Sequence, residues 1–174
     1  MLPLVTVWDR VDLSDHVDDV LDVYAEAMQV ARHQADSRRG LLVTHLDRSD
    51  LRAVAAHDDG RLVGIAYGYR GKPGQWWTDQ VRAAMNEALA DVWLTDAFEV
   101  CELHVRPPQQ GLGVGRALLD TLLDGVGTRT AVLTTPDEAT RARGFYRAAG
   151  WRDLLRGMVF PGDPRVFAVL GQRL

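Results

Sequence analysis

Residues Phe98–Leu123, FEVCELHVRPPQQGLGVGRALLDTLL, decide the fold of this chain. The first part, Phe98–Val105, is rich in aromatic and β-branched side chains, which is typical of a strand covered on both faces. The pair Pro107-Pro108 cannot donate to a strand ladder, so the strand should stop near Arg106. After a glycine-rich turn, leucines recur at helical spacing. The stretch therefore predicts a strand, a turn and a helix in succession.

The glycine-rich turn, Gln110 to Arg116, is a candidate cradle for a pyrophosphate group. A helix N-terminus leaves backbone N–H groups unpaired and carries a partial positive charge. Glycines lack Cβ, so they let an anion approach those N–H groups closely. Arg116 is placed in the first helical turn, where it can add a charged contact to a phosphate. The alternative is a turn in which the glycines serve only the backbone dihedral angles.

Composition indicates an ordinary globular protein and excludes several classes. The chain has 174 residues, of which 47% are hydrophobic and 25% charged. Its net charge of −4 gives no broad basic surface for nucleic acid. Cys101 is the single cysteine, so no intrachain disulfide can form, and we expect it to pack as a small apolar residue. No signal-peptide pattern or membrane-spanning run is evident, so we expect a cytoplasmic protein.

The first third of the chain predicts one strand and two helices. Leu4–Trp8 is a β-branched run, and Asp15–Val30 has apolar residues at helical spacing after the potential N-cap Ser14. A second helix is expected to begin near Gly40. The polar connection before it, which contains Arg38, is either a solvated loop or one wall of a substrate cleft, and we favour the loop.

A hairpin and a helical insertion follow. Asp-Gly between Leu51–His57 and Arg61–Arg70 is a strong turn signal, and glycines in the second arm favour a bulge or close packing. The segment Gly71–Asp96 predicts one amphipathic helix with Thr78 as its N-cap, which is longer than a hairpin turn needs. The adjacent Trp76-Trp77 pair either anchors this helix onto the sheet, which we favour, or forms an aromatic wall for an acceptor.

The C-terminal part predicts a strand, a helix and a closing hairpin. Thr130–Thr135 is β-branched, and the following helix over Asp137–Ala149 should end at Gly150. Trp151–Phe160 and Arg165–Leu170 form the closing hairpin. The order predicts an α/β fold, with a mixed, mostly antiparallel central sheet flanked by helices. We expect one domain over residues 1–174, with the helical insertion at about 71–96.

The turn and a second motif resemble the GNAT N-acetyltransferase superfamily. The family pattern of Gln or Arg, two residues, Gly, one residue, and Gly or Ala falls on Gln110, Gly113 and Gly115. The F-Y-x-x-x-G-W pattern falls on Phe145–Trp151. A Rossmann dinucleotide site fits less well, because the third glycine comes one residue too early. The predicted element order extends the resemblance over nearly the whole chain.

The resemblance implies that acetyl-CoA is the co-substrate. The backbone of the fourth strand would hold its pantetheine and thioester, and the turn would hold its pyrophosphate. The residues implied are Leu103, His104, Val105, Gln110, Gly111, Leu112, Gly113, Val114, Gly115 and Arg116. Ala139 stands where family members often have an asparagine, so any cofactor contact of that side chain is absent or replaced.

The resemblance also implies catalytic roles for an amine acetyltransferase. Tyr146 corresponds to the tyrosine that protonates the leaving thiolate. A carboxylate in a central strand is costly unless it is paired or used, which makes Glu99 and Glu102 candidates for the base. We prefer Glu102 slightly, acting directly or through water; a salt-bridged structural role is the alternative. His104 is a further candidate base, and the histidines show no spacing that predicts a metal site.

The expected reaction is acetyl transfer to a primary amine of a small molecule or peptide. Two other functions stay open: a non-catalytic acyl-CoA-binding regulatory module, and a different nucleotide-binding enzyme. We expect no nucleic-acid or membrane partner. The sequence leaves the acceptor unnamed and leaves a homodimer open.

Overall fold

A computed structural model describes residues 3–174. The described residues divide into two compact units. Unit 1 comprises the residues up to Tyr69 together with Val100–Val126, and unit 2 comprises Arg70–Glu99 together with Gly127–Leu174. The boundary crosses the strand that was predicted from Phe98. The single domain expected over residues 1–174 stays a prediction.

The described residues form a seven-stranded sheet in the order β1-β2-β3-β4-β5-β7-β6. The strands are β1 Leu4–Trp8, β2 Arg52–Asp58, β3 Arg61–Arg70, β4 Ala97–Val105, β5 Thr130–Pro136, β6 Arg152–Val159 and β7 Val166–Arg173. The helices are α1 Arg10–Asp15, α2 Val17–Met28, α3 Arg32–Ala35, α4 Arg39–Leu46, α5 Trp76–Ala84, α6 Glu87–Leu94, α7 Val114–Leu123 and α8 Arg141–Ala148. Short 3-10 turns cover Asp36–Arg38 and Pro107–Gln109. The mixed α/β class and the strand positions are confirmed.

Unit 1 begins with an antiparallel meander, β1 to β3. The predicted Asp-Gly turn joins β2 to β3, and the register shifts between Ala56 and His57. Gly64 lies opposite Ala56, and a Cβ at Gly64 would come within 2.9 Å of Leu118 and 3.3 Å of the carbonyl oxygen of His104. The close packing predicted for this arm is therefore confirmed, because a side chain at Gly64 would crowd Leu118 of α7 and the backbone of β4.

The core of unit 1 lies between this meander and the first helices. Apolar side chains of α1, α2 and α4 pack with Ile65 and Tyr67 of β3, and Cys101 packs against the same cluster as expected. The helix predicted over Asp15–Val30 is confirmed as α2, Val17–Met28, but a separate short helix, α1, precedes it. Asp9 accepts from the backbone N–H of Asp12 and Asp12 accepts from that of Asp9, and this capping box starts α1. Ser14 lies inside α1.

Unit 2 contains the closing strands. The N-terminal end of β4 runs parallel to β5, with pairs from Ala97–Thr130 to Glu99–Val132. β7 is antiparallel to β5 on one side and to β6 on the other, so the hairpin closes the sheet with its second strand inside. The Cβ of any larger residue at Gly171 of β7 would meet Trp93 and Leu154 at 2.6–2.9 Å. Glycine is required there by close packing.

The insertion consists of two helices rather than the predicted single one. Met85 adopts an extended conformation after α5, and the Asn86 side chain then caps α6 by accepting from the Leu89 N–H at 2.8 Å. Thr78 is buried inside α5 and is not its N-cap. Trp77 packs against the core of unit 2, so its predicted anchoring role is confirmed, whereas Trp76 is 56% exposed.

The last helix starts later than predicted. α8 begins after Thr140, whose hydroxyl accepts from the Arg143 N–H at 3.1 Å. Asp137 stays outside the helix because its carboxylate binds Arg143 and the N–H of Gly157. Gly150 has a φ of 91° directly after the helix, which agrees with the expected glycine stop. Among residues 3–174, the structure contains no helix long and apolar enough to cross a membrane.

Candidate functional site

The end of β4 is fixed by Arg106, which the sequence marked only as the strand terminus. Its backbone N–H donates to the Val63 carbonyl at 2.8 Å, and its Nε donates to the Leu62 carbonyl at 2.8 Å. The guanidinium also pairs with Glu26. Arg106 is 5% exposed. These bonds tie the exit of β4 to β3 and to α2, so the turn that follows starts from a fixed point.

The glycine-rich turn has the backbone geometry that an anion cradle needs. Gly111 and Gly113 have φ values of 80° and 89°, a region that favours glycine. Gly113 is the N-cap of α7 and has no side chain to cap the N–H groups of the first turn. Gln110 donates from Nε2 to the Val105 carbonyl at 2.8 Å, which ties the turn back to β4. The N–H groups at the start of α7 therefore suit a phosphate oxygen.

Arg116 lies in the first turn of α7, as predicted. Its Nε donates to both carboxylate oxygens of Asp120 at 2.8 Å. The side chain is 52% exposed. The phosphate contact expected of Arg116 stays a prediction, and it would have to compete with an exposed i,i+4 ion pair, which is a weak interaction.

A small cleft in unit 1 collects polar side chains from distant parts of the chain. Apolar residues of α2 and α4 line it together with Tyr24, Arg38, Tyr67, Glu102 and His104. His104 Nε2 lies 2.5 Å from Glu102 Oε2. Arg38 pairs with the other carboxylate oxygen, Oε1, and its guanidinium carbon lies 5.2 Å from the centre of the Tyr24 ring. The cleft therefore combines a carboxylate, an imidazole, a guanidinium and two phenols.

Glu102 is held as a carboxylate. Burial by itself raises the pKa of Glu102, but the hydrogen bond and charge of His104 and the charge of Arg38 outweigh burial and lower that pKa to about 2. Its side chain is 14% exposed. A carboxylate that is mostly enclosed and fully ionised depends on such partners, because leaving it with neither of them would cost several kcal/mol, on the order of 3.

A second histidine lies behind the cleft. Nδ1 of His45, on α4, is 3.1 Å from the hydroxyl of Tyr67, and both residues are buried. Burial lowers the pKa of His45 to about 4 and raises the pKa of the Tyr67 phenol well above its ordinary value. Both groups are consequently neutral at physiological pH. Sequence reasoning gave His45 no role.

The position of Arg38 corrects an expectation. We favoured a solvated loop for its segment, but the structure places Arg38 in a 3-10 turn with its side chain in the cleft, 64 positions before its partner Glu102. The one sequence feature that could have indicated this pairing is Glu102 itself, because a carboxylate in a buried strand requires a cation nearby. That need does not say which of the chain's many arginines meets it.

Glu99 and Tyr146 belong to unit 2. Glu99 is 5% exposed and Tyr146 8% exposed. The Tyr146 ring contacts Phe145 and Trp151 edge-on, with centroid distances of 5.1 and 5.7 Å. α8 is fixed by Arg143, which binds Asp137 at 2.5 Å and Asp153 at 2.7 Å. The catalytic roles expected of Tyr146, Glu99 and Glu102 stay predictions. Among residues 3–174, no group of three or more acidic, cysteine or histidine side chains could hold a metal ion.

The model of the acetyltransferase (GNAT) family matches residues 17–151. The GCN5-like protein acetyltransferase of Mycobacterium tuberculosis is 35% identical over 194 residues, which cover 94% of this chain and 94% of that protein.

Two solved structures share the fold. The aminoglycoside 6′-acetyltransferase type Ii is similar with a TM-score of 0.68 and 17% identity, covering 98% of this chain and 96% of that one. The PaiA N-acetyltransferase from Thermoplasma acidophilum, solved in complex with coenzyme A, is similar with a TM-score of 0.61 and 12% identity, covering 98% and 99%.

Proposed function

The chain belongs to the GNAT acetyltransferase family, and we propose that it transfers the acetyl group of acetyl-CoA to a primary amine of a small molecule or peptide. Acetyl-CoA is the co-substrate of the family. The observation that carries the proposal is the turn at residues 110–116, in which Gly113 is the N-cap of α7 and no side chain caps the first N–H groups of the helix.

The turn fits the pyrophosphate of coenzyme A in this structure. Both positive-φ glycines are present, so the backbone can approach an anion without a Cβ in the way. Residues 110–116 would hold the pyrophosphate, with Arg116 adding charge after leaving Asp120. The backbone of Leu103, His104 and Val105 would hold the pantetheine and the thioester carbonyl. Backbone N–H groups there would stabilise the negative charge that develops on the carbonyl oxygen.

Acetyl transfer to an amine needs a base and an acid. An alkylammonium group has a pKa near that of lysine, about 10.4, so it must lose a proton before its nitrogen can attack the thioester. Three side chains of β4, Glu102, Glu99 and His104, are the candidates for removing that proton. Tyr146 is the proposed acid that protonates the thiolate when the C–S bond breaks. The amine becomes an amide and coenzyme A leaves as the free thiol.

Our proposal for the acceptor class is based on the Mycobacterium tuberculosis relative named above. That protein is described as a protein acetyltransferase, and its identity over nearly both full lengths favours a peptide amine, such as a lysine side chain, for this chain too. A small amine is the second candidate acceptor.

The test begins with calorimetry of acetyl-CoA, coenzyme A, NAD and ATP, followed by thiol release with peptide and small-molecule amines. We expect selective binding of the two coenzyme A species and thiol release with one amine class. The variant Gly113→Ala should weaken coenzyme A binding. Its matched control is Gly162→Ala, at a turn glycine of unit 2 with a φ of 83° and open space around it. The two variants carry a similar backbone cost of about 1–2 kcal/mol, so only the loss of binding separates them.

Other outcomes would favour the alternatives. Coenzyme A binding without turnover on any amine would favour a regulatory acyl-CoA-binding module. Preferential binding of NAD or ATP would favour a different nucleotide-binding enzyme and would leave the turn without its proposed ligand.

A further inference from the structure

Two polar side chains of β4 form a bonded pair that faces the cleft of unit 1. Glu102 and His104 are two positions apart, and their side chains are 14% and 13% exposed. The carboxylate is bonded at both oxygens, by Arg38 at Oε1 and by His104 at Oε2. An acceptor amine that enters this cleft therefore meets a carboxylate whose oxygens are already engaged.

The pair fixes which nitrogen of His104 is available. An ionised carboxylate only accepts hydrogen bonds, so whenever the His104 ring is in its neutral form its proton must lie on Nε2, the atom 2.5 Å from Glu102. The lone pair of the neutral ring is then on Nδ1. A buried carboxylate that orients an imidazole through one nitrogen and leaves the other as the base is a known arrangement in acyl-transfer enzymes of other folds.

We propose that His104 is the catalytic base, taking the proton of the acceptor ammonium on Nδ1, and that Glu102 and Arg38 are positioning residues. The proposal rests on the proposed amine acetyltransferase function. It reverses the order of preference reached from the sequence, where Glu102 came first. Arg38 holds the carboxylate, the carboxylate holds the ring, and the ring presents Nδ1.

The protons balance over one turnover. His104 takes one proton from the ammonium group, and the neutral nitrogen attacks the thioester carbonyl, so that a C–N bond forms and the C–S bond breaks. The nitrogen loses a second proton as the amide forms, and the thiolate gains one, through Tyr146 in the function proposed above. The proton on His104 leaves to solvent, which matches the net release of one proton.

The groups around His104 suit this role. Tyr24 of α2 lies edge-on to the imidazole with a centroid distance of 5.0 Å. Arg38, from the 3-10 turn, supplies the positive charge of the cluster, and Glu102 the negative charge. On the adjoining elements, His45 of α4 and Tyr67 of β3 are neutral at physiological pH because of burial. Cys101 is the remaining titratable neighbour on β4.

The first experiment compares His104→Gln and His104→Ala with the wild type in thiol release. Glutamine can still donate to Glu102 but cannot take the proton. We expect kcat to fall about 100-fold near neutral pH, with the KM for acetyl-CoA and the melting temperature unchanged. The loss should shrink as pH rises, because more of the amine is then already deprotonated. Added imidazole should restore rate to His104→Ala. The control is His57→Gln, a histidine of β2 outside the cleft, which should behave like the wild type.

The second experiment reads the tautomer directly. Nitrogen-15 NMR of the His104 ring should show the neutral form protonated on Nε2, and Glu102→Gln should remove that preference and shift the acid limb of the pH–rate profile. A neutral ring protonated on Nδ1, or a His104→Gln variant with the wild-type rate and pH profile, would overturn the proposal. Absence of turnover in the wild type itself would instead overturn the amine acetyltransferase function on which the proposal rests.

Discussion

Each unit contains a carboxylate that arginine keeps ionised: Asp137 in unit 2 and Glu102 in unit 1. The groups bonded to each carboxylate form a cluster, and the two clusters differ in the types of these groups. In unit 2, Asp137 receives Arg156, the N–H of Gly157 and Arg143, and these bonds lower its pKa to about 2. In unit 1, Glu102 reaches a similar pKa but shares its carboxylate with an imidazole that lines a cleft.

The difference teaches that a lowered pKa does not by itself mark a catalytic carboxylate. The Asp137 cluster joins β5, α8 and β6, and its donors are arginines and a backbone amide, which have no proton to exchange near neutral pH. Its role is structural. The Glu102 cluster instead contains His104, which lines the cleft and which we propose as the catalytic base.

The largest expected effect comes from Tyr146→Phe, which tests whether a side chain of unit 2 takes part in the reaction. In Tyr146→Phe the hydroxyl is lost while the ring packing on Trp151 remains. If the phenol protonates the thiolate, kcat should fall about 100- to 1,000-fold with little change in melting temperature. Phe145→Leu, the neighbouring position, is the control and should affect stability more than rate. A wild-type rate for Tyr146→Phe would confine the proton chemistry to the cleft of unit 1.

A second prediction compares how much each arginine, Arg143 in unit 2 and Arg38 in unit 1, contributes to the free energy of unfolding. Arg143 is 4% exposed and bridges Asp137 and Asp153. Arg143→Met removes the buried cation that bridges these two carboxylates and leaves them only the exposed arginines Arg156 and Arg147. We therefore expect a loss of about 3 kcal/mol in the free energy of unfolding, measured with urea. Arg38→Met in unit 1 should instead reduce kcat while costing less stability, because its side chain is 34% exposed. Equal stability losses in both variants would remove the distinction between the clusters.

The stability of the protein at acidic pH should depend on protonation of both carboxylates, Glu102 and Asp137. The folded-state pKa values of Glu102 and Asp137 are lowered to about 2 from ordinary values near 4. Their contribution to stability is therefore fully present above about pH 5 and is lost as pH falls through 4 toward 2, because the unfolded chain binds protons more readily. Urea titrations at several pH values should show this loss. In Asp137→Asn, the slope of the unfolding free energy against pH should decrease by the equivalent of one bound proton. An unchanged slope would contradict the lowered pKa of Asp137.

The smallest expected effect concerns the turn at α7. Asp120→Ala frees Arg116 from its ion pair, which at such an exposed site is worth about 0.5 kcal/mol. We expect coenzyme A to bind about twofold more tightly at low salt, with the gain fading as ionic strength rises. Asp124→Ala, at the other end of the helix, is the control. Weaker binding in Asp120→Ala would mean that Asp120 helps to hold the ligand.

The sequence alone located most of the regular structure. Pro107 and the glycines end or start elements through their own backbone restrictions, which act within a few residues and so can be read locally. The errors have the same origin. Helix α1 was missed and the start of α8 was placed too early, because the side-chain caps that start them, from Asp9 and Thr140, were not visible as periodicity.

The sequence by itself determined the glycine turn, the strand before it and the GNAT resemblance, because each depends on neighbours along the chain. The tertiary structure alone decided that Arg38 meets Glu102, that His104 lines the cleft beside it, and that Arg143 bridges Asp137 and Asp153 in unit 2. Arg38 and Glu102 are 64 positions apart, and no local rule selects one arginine among many. The pairing follows from burial: a carboxylate removed from water binds the cation that the fold brings within reach.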